Sequence, residues 1–261
     1  MNERLLLFIP VYNCAPQFKR LAAKLDGAAL ARFSEVLVAD NGSSDGTLEA
    51  AREALAGKKG VSVTLVRNSG NYSLGGSLKI AFNYCLDKGY THCAVLHGDD
   101  QADLRDLLPR LEDGNFLGHD CAFGSRFTAE SKLAGYSTVR LLGNKALNLL
   151  ASLAAGRRIT DLGSGLNLYS AAFLKTRFYE GYPDGLTFDV HVLLHCLRSG
   201  ADFIFFPISW REEDQKSNAR AFRQGLEILS LLARHALGAA RPAGAGPAAP
   251  HTFKIFYSHR P

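Results

Sequence analysis

Three clusters of polar residues stand directly after apolar runs: Pro10-Val-Tyr-Asn13, Asp40-Asn-Gly-Ser-Ser-Asp-Gly-Thr47 and His97-Gly-Asp-Asp-Gln101. The apolar runs read as strands, and in an open α/β sheet ligands bind outside the carboxyl ends of the strands. Each cluster alone is an ordinary turn, since Asp-Gly-rich segments commonly follow strands. All three in order, at one edge of one sheet, describe a site. Pro10 and Tyr12 make a rigid aromatic corner suited to a base and ribose. Asp40 offers a carboxylate that accepts hydrogen bonds from the edge of a base. Asn68 and Gly70 precede a helix start at Gly75-Gly76-Ser77, where free N–H groups would meet a phosphate. That spacing is not Gly-x-Gly-x-x-Gly, so no dinucleotide site is indicated.

The elements that must hold these clusters follow a strand–helix rhythm. Leu5–Pro10, Glu35–Ala39, Val61–Val66 and Cys93–Leu96 are short apolar or alternating runs. Between them lie helical patterns at about 17–25, after Asp45-Gly-Thr to about Leu55, and at Leu74–Lys88. Strands alternating with helices predict a mostly parallel, doubly wound α/β sheet. The second half is less regular, with strands expected at Asp120–Phe123, Leu166–Tyr169 and Phe203–Ile208 and helices at Thr138–Ala155 and Phe188–Ser199. Ala219–Leu237 predicts an amphipathic helix with Phe222, Leu226, Leu229 and Ala233 on one face. An Ala/Gly/Pro-rich linker follows from Gly238 to Pro250, and the last eleven residues carry no assignable element. The organisation expected is thus a catalytic body over 1–218, the helix over 219–237, and a flexible linker with a short tail over 238–261.

The chain has 261 residues, 47% hydrophobic and 21% charged, which fits a single soluble domain with a sizeable core. Its net charge is +5, and from Ile208 onward eight Lys/Arg stand against four Asp/Glu. That local excess suits an anionic partner such as phosphate or lipid headgroups. No nucleic-acid module is recognisable. The five cysteines are scattered and never spaced Cys-x-x-Cys, so reduced thiols in a cytoplasmic setting are expected rather than a disulfide framework or zinc site. No run approaches the ~20 apolar residues of a membrane span.

The three clusters resemble those of the family-2 glycosyltransferases with the GT-A fold, and among them the polyprenyl-phosphate (dolichol-phosphate) hexosyltransferases. The first resembles their Pro-x-Tyr-Asn-Glu, with Cys14 in place of Glu. The second resembles Asp-Asp-Gly-Ser-x-Asp-Gly-Thr, with Asn41 for the second Asp. The third resembles their Asp-x-Asp-x-Gln region, with His97 in the first Asp position. Gly124-Ser-Arg-Phe127, Asp161-Leu-Gly-Ser-Gly-Leu-Asn-Leu-Tyr169, Pro207-Ile-Ser-Trp-Arg211 and Lys216-Ser-Asn218 match later pieces. The likeness covers residues 5 to about 220.

The resemblance implies an inverting transfer of a sugar from a nucleoside-diphosphate sugar to a lipid phosphate or a glycan hydroxyl. It places the donor on Pro10, Tyr12, Asn13, Asp40, Asn68, Gly70, Gly98, Arg126 and Lys216. A divalent ion, Mg²⁺ or Mn²⁺, would neutralise the departing diphosphate, held by Asp99, Gln101 and His97. Nitrogen suits Mn²⁺ better than Mg²⁺, and Asp100 is an alternative carboxylate. Catalytic roles fall to Asp99, to Arg211 on the phosphates, and to Asp189, the candidate general base for a hydroxyl acceptor. A phosphate acceptor needs no base. Asp161 and the Gly163-Ser-Gly165 turn would shape the acceptor pocket, while His191 and His195 are packing or surface residues. Arg220, Arg223 and Arg234 on the C-terminal helix would face an anionic membrane, making a cytoplasmic protein peripheral at its inner face. Two other classes stay open: a nucleotidyltransferase, and a non-catalytic sugar-nucleotide-binding or scaffold protein.

Overall fold

A computed structural model describes residues 3–214, 221–239 and 251–260. Chain order runs β1 (Leu5–Val11), α1 (Ala15–Lys24), α2 (Gly27–Leu30), β2 (Phe33–Asp40), α3 (Thr47–Leu55), β3 (Ser62–Asn68), α4 (Ser73–Asp87), β4 (His92–Leu96) and α5 (Leu108–Glu112). It continues with β5 (Cys121–Ser125), β6 (Lys132–Ala134), α6 (Thr138–Ala155), β7 (Leu166–Ser170), α7 (Ala171–Leu174), α8 (Phe188–Ser199), β8 (Phe203–Pro207), β9 (Ser209–Arg211), α9 (Ala221–Ala236) and β10 (Phe253–His259).

The main sheet has the order β10-β3-β2-β1-β4-β7-β5-β8. β1 pairs in parallel with β2 and β4, β2 with β3, and β5 with β8. β7 lies antiparallel between β4 and β5. The apolar strands form because both faces are covered. Along β1, Leu5, Leu7 and Ile9 enter one core with Phe18, Leu21 and Leu48, while Leu6 and Phe8 enter a second with Phe82, Tyr169 and Phe188. Alternation along the strand thus feeds two layers of helices. β6 and β9 form a separate parallel pair.

Two features depart from the sequence reading. The unassigned tail is β10, which pairs antiparallel with β3 and caps that edge of the sheet. A register shift between Ile255 and Tyr257 interrupts the period-2 pattern that would have revealed it. The C-terminal helix is present as α9, but it buries Ile228 and Leu232 while Leu226 and Leu229 stay exposed. Its inward face is therefore rotated from the one expected. Arg220, and most of the expected linker, lie outside the described residues, as does the Phe222 side chain. Among the described residues no helix is long and apolar enough to cross a membrane. All five cysteines are buried free thiols.

Candidate functional site

The ends of β1, β2 and β4 and the start of α4 border a cleft of about 1010 Å³. Pro10, Tyr12, Cys14, Asn41, His97, Gly98 and Asp99 line one side. Gly185, Leu186 and the α9 residues Arg223, Gln224 and Glu227 stand across from them. Sequence reasoning missed this second wall of the cleft, because no local signal links the turn before α8 to the C-terminal helix. The turn is tied to α9 by Thr187 Oγ1 donating to Glu227 Oε1 at 2.8 Å. On its other side, Asp184 accepts from Lys79 and lies 2.8 Å from His251 Nε2, so the segment before β10 braces the same wall.

The first two clusters close on each other. Asn13 has φ 48°, a left-handed conformation that asparagine tolerates. Its N–H donates to Ser43 Oγ at 2.9 Å and its Oδ1 accepts from the Ser44 N–H at 2.9 Å. Asp45 accepts from the N–H groups of Ala15 and Thr47. The Cys14 thiol is pushed up to about 12 by burial, so it is neutral and not a ligand as it stands. Asp40 is fully buried, paired with Arg67 Nε at 3.1 Å and accepting from the Ser43 N–H. It lies behind the cleft lining, which Asn41 supplies instead.

Asn41 does what a carboxylate cannot. Its Nδ2 donates to Asn71 Oδ1 at 2.9 Å and to the Ser73 carbonyl at 3.3 Å. Its Oδ1 accepts from Asn68 Nδ2 and from the Tyr72 N–H. Asn68 also donates to Ser77 Oγ. Asn68 is thus a buried brace, and Gly70 also falls outside the lining. The expectation of free N–H groups at the α4 start is overturned for three of them. Ser73 donates to Asn71 Oδ1, Gly75 to the Asp184 carbonyl at 2.8 Å, and Gly76 to the Tyr72 carbonyl. Gly75 is required for packing instead, since a Cβ there would lie 2.8 Å from the Asp184 backbone.

The end of β4 separates its side chains to two sides. Gly98 sits where a Cβ would be 2.5 Å from Val11, which lets the backbone lie against β1. The His97 ring packs on Gly165, whose φ of 73° and closeness to the ring both exclude a side chain. His97 Nε2 is buried without a hydrogen-bond partner. Asp99 lines the cleft and accepts from the Gln101 N–H at 3.2 Å. Burial holds its carboxyl above the usual range, with neighbouring His97 and the Gln101 N–H pulling the other way. Asp100 has φ 62° and turns to the opposite side. There it meets Arg211 at 2.6 Å, Lys24 at 2.7 Å and Arg20 at 3.3 Å.

These contacts and those below locate the other expected site residues. Asp100 is paired with three cations and does not line the cleft. Arg211 donates to the Asp100 carboxylate and carbonyl. The Gln101 carbonyl accepts from the Arg211 N–H, and Gln101 lies outside the lining. Arg126 is buried, donating to Asp161 at 2.8 and 2.7 Å and to the Gly163 carbonyl, between the rings of Phe127 and Trp210. That pairing turns Arg126 and Asp161 into a structural clamp. Asp189 lies in the first turn of α8, buried, with Tyr169 Oη donating to it at 3.4 Å. It borders a small separate void with Asp161 and Gly163. Burial raises its pKa. His191 and His195 pack on Tyr182 and Phe178. Lys216 lies outside the described residues.

The donors available to a divalent ion in the cleft are therefore the Asp99 carboxylate and His97 Nε2. Among the described residues they belong to no cluster of three His, Cys, Asp or Glu. A nitrogen–oxygen pair fits Mn²⁺ better than Mg²⁺ and leaves the remaining positions to oxygens of a ligand.

An open, mostly parallel α/β sheet with a polar cleft at its strand ends defines a nucleotide-binding class of fold. The chain matches Glycosyl transferase family 2 over residues 7–178 and belongs to that family. It is 27% identical over 212 residues to the undecaprenyl-phosphate mannosyltransferase of Micrococcus luteus, covering 81% of this chain and 85% of that protein. It is 28% identical over 169 residues to an uncharacterized protein of Methanocaldococcus jannaschii, covering 65% of each. In fold it is similar to glucosyl-3-phosphoglycerate synthase of Mycobacterium tuberculosis in complex with Mn²⁺, uridine diphosphate and glucosyl-3-phosphoglycerate. The TM-score is 0.63 at 13% identity, covering 100% of this chain and 91% of that chain. The sheet with its flanking helices is thus of the GT-A type.

Proposed function

We propose that the cleft binds a nucleoside-diphosphate sugar and that the chain transfers the sugar, with inversion, to a phosphate carried on a polyprenyl lipid. The observation that carries the donor half is Asp99, the carboxylate that the end of β4 presents to the cleft while its neighbour is clamped away. Base and ribose pack on Pro10 and Tyr12, and the diphosphate reaches Asp99 and His97. A divalent ion held there supplies charge neutralisation for the departing diphosphate. The acceptor oxygen forms the new bond to the anomeric carbon, and the nucleoside diphosphate leaves with the electrons of the broken C–O bond.

The acceptor half rests on Asp189. A hydroxyl acceptor needs a base within hydrogen-bond reach, and Asp189 is bonded to Tyr169 behind the cleft. A phosphate is already anionic and needs none. The Micrococcus relative, named for transfer to undecaprenyl phosphate, supports the same choice.

The test is incubation with undecaprenyl phosphate in detergent and UDP- or GDP-hexose, with Mn²⁺, followed by mass spectrometry of the lipid. A glycosyl-phosphate lipid is expected. Glycosylation of a hydroxyl acceptor alone would overturn the acceptor. Nucleotide binding with no turnover on any acceptor would favour the scaffold reading.

A further inference from the structure

Helix α6 is built inside out. Its inward face carries Asn148 and Ala151, both buried, with Asn148 Nδ2 donating to the Thr160 carbonyl and Ser152 Oγ accepting from the Ile159 N–H. Most of its large apolar side chains point outward: Val139 is 80% exposed, Leu142 63%, Leu149 61% and Leu153 72%, with Leu150 beside them, while Leu147 packs against the core. Val139, Leu142, Leu149 and Leu153 follow one another at spacings of three, seven and four, so they share one face of the helix. A helix on a soluble core normally shows the reverse arrangement, and a contiguous apolar stripe marks an interaction surface.

Charge selects the occupant. From Ser131 to Thr160 there is no Asp or Glu, while Lys132, Lys145, Arg157 and Arg158 fall in the same stretch, together with Arg140, which pairs with Glu212. Lys145 and Arg158 are exposed. A second copy docked on the stripe about a two-fold axis would set these cations against their own counterparts. A bilayer containing anionic lipid accepts the leucines among its acyl chains and the cations among its headgroups. The stripe is also continuous with the cleft through α9. That helix packs on α6, exposes Leu226 and Leu229, and lines the cleft with Arg223, Gln224 and Glu227.

We infer that the outward face of α6 docks the protein on an anionic membrane surface, an inference whose choice of partner rests on the lipid-phosphate acceptor proposed above. It relocates membrane contact from α9, where the sequence placed it, to the helix before it. Docking there holds the cleft near the plane in which a lipid phosphate sits.

The test is flotation with vesicles of phosphatidylcholine, alone or mixed with phosphatidylglycerol, using the full chain. Wild type should float with the mixed vesicles. Replacing Leu142, Leu149 and Leu153 together by Ser should weaken binding at least about tenfold, since each leucine loses its burial in the acyl region. Lys145→Glu with Arg158→Glu should weaken it at low salt, with the difference shrinking as salt rises. These residues lie on the outside of the fold, and UDP and GDP binding measured on the same samples should not change. Wild type that binds nucleotide but not vesicles overturns the docking and leaves the donor site standing. Vesicle binding without nucleotide binding does the opposite. Concentration-dependent dimerisation abolished by the triple replacement would assign the stripe to a second copy and overturn the proposal.

Discussion

At the end of β4 two consecutive aspartates occupy opposite surroundings. Asp99 faces the cleft, above its usual pKa because burial disfavours its charge. Asp100, one residue on and in a left-handed conformation, sits among Arg20, Lys24 and Arg211 on the far side, where burial still outweighs the cations and pushes its carboxyl up to about 6. The far side answers its carboxylate with three cations of the protein itself. The cleft side presents the Asp99 carboxylate as lining and leaves the buried His97 Nε2 without a hydrogen-bond partner. Cationic residues near a phosphate site are easily read as phosphate binders, yet here Arg211 and Arg126 both serve buried carboxylates.

Replacing the two aspartates should separate these roles. Asp99→Ala should lower sugar transfer by about 10²–10³-fold through loss of charge stabilisation at the leaving diphosphate, with an unchanged urea midpoint. Asp100→Ala should instead cost about 2–4 kcal/mol in urea unfolding, because cations that are partly screened by solvent lose a buried partner. Equal loss of stability in both variants would remove the contrast.

Arg126→Ala sharpens the same point on β5. Breaking the buried pair with Asp161 should cost about 3–5 kcal/mol, while nucleotide affinity of the folded protein, measured by calorimetry, stays within about twofold. A tenfold loss of affinity would return Arg126 to the donor site.

The smallest expected effect concerns Asp189. Its folded pKa is raised by burial, so the native state keeps a proton that the unfolded chain has already lost. The stability this contributes is present below the ordinary Asp pKa of about 3.9 and is lost as pH rises through the folded value. Asp189→Asn should therefore gain stability relative to wild type as pH rises above about 4, seen in urea midpoints. Transfer to a lipid phosphate should change by no more than a few-fold, whereas a general base would cost about 10²-fold or more.

Much of this was legible in the residues. The apolar runs at Leu5, Glu35 and Cys93 and the polar clusters after them placed the cleft, because strand ends in a parallel sheet share one edge. Thr138–Ala155 and Phe188–Ser199 coincide with α6 and α8. What periodicity did not reveal was direction: the leucine stripe of α6 reads as a core face, and only its neighbours show it turned outward. Nor do single residue types disclose their partners. Arg126 and Asp161 are far apart in the chain, so the ion pair that removes Arg126 from the cleft leaves no local trace. Asn41 departs from its family motif, and its fit became clear only once Asn71 and the Ser73 carbonyl were seen to need a donor.

The most direct test is the melting temperature of wild type and Asp99→Ala with UDP, GDP, CDP and dTDP, each with and without Mn²⁺ or Mg²⁺. A ligand that binds only the native state must raise it. One nucleotide should stabilise wild type in a metal-dependent manner, more with Mn²⁺ than with Mg²⁺, and the metal dependence should vanish in Asp99→Ala. No nucleotide effect in wild type, or a metal-dependent effect undiminished in Asp99→Ala, would contradict the assignment of the cleft.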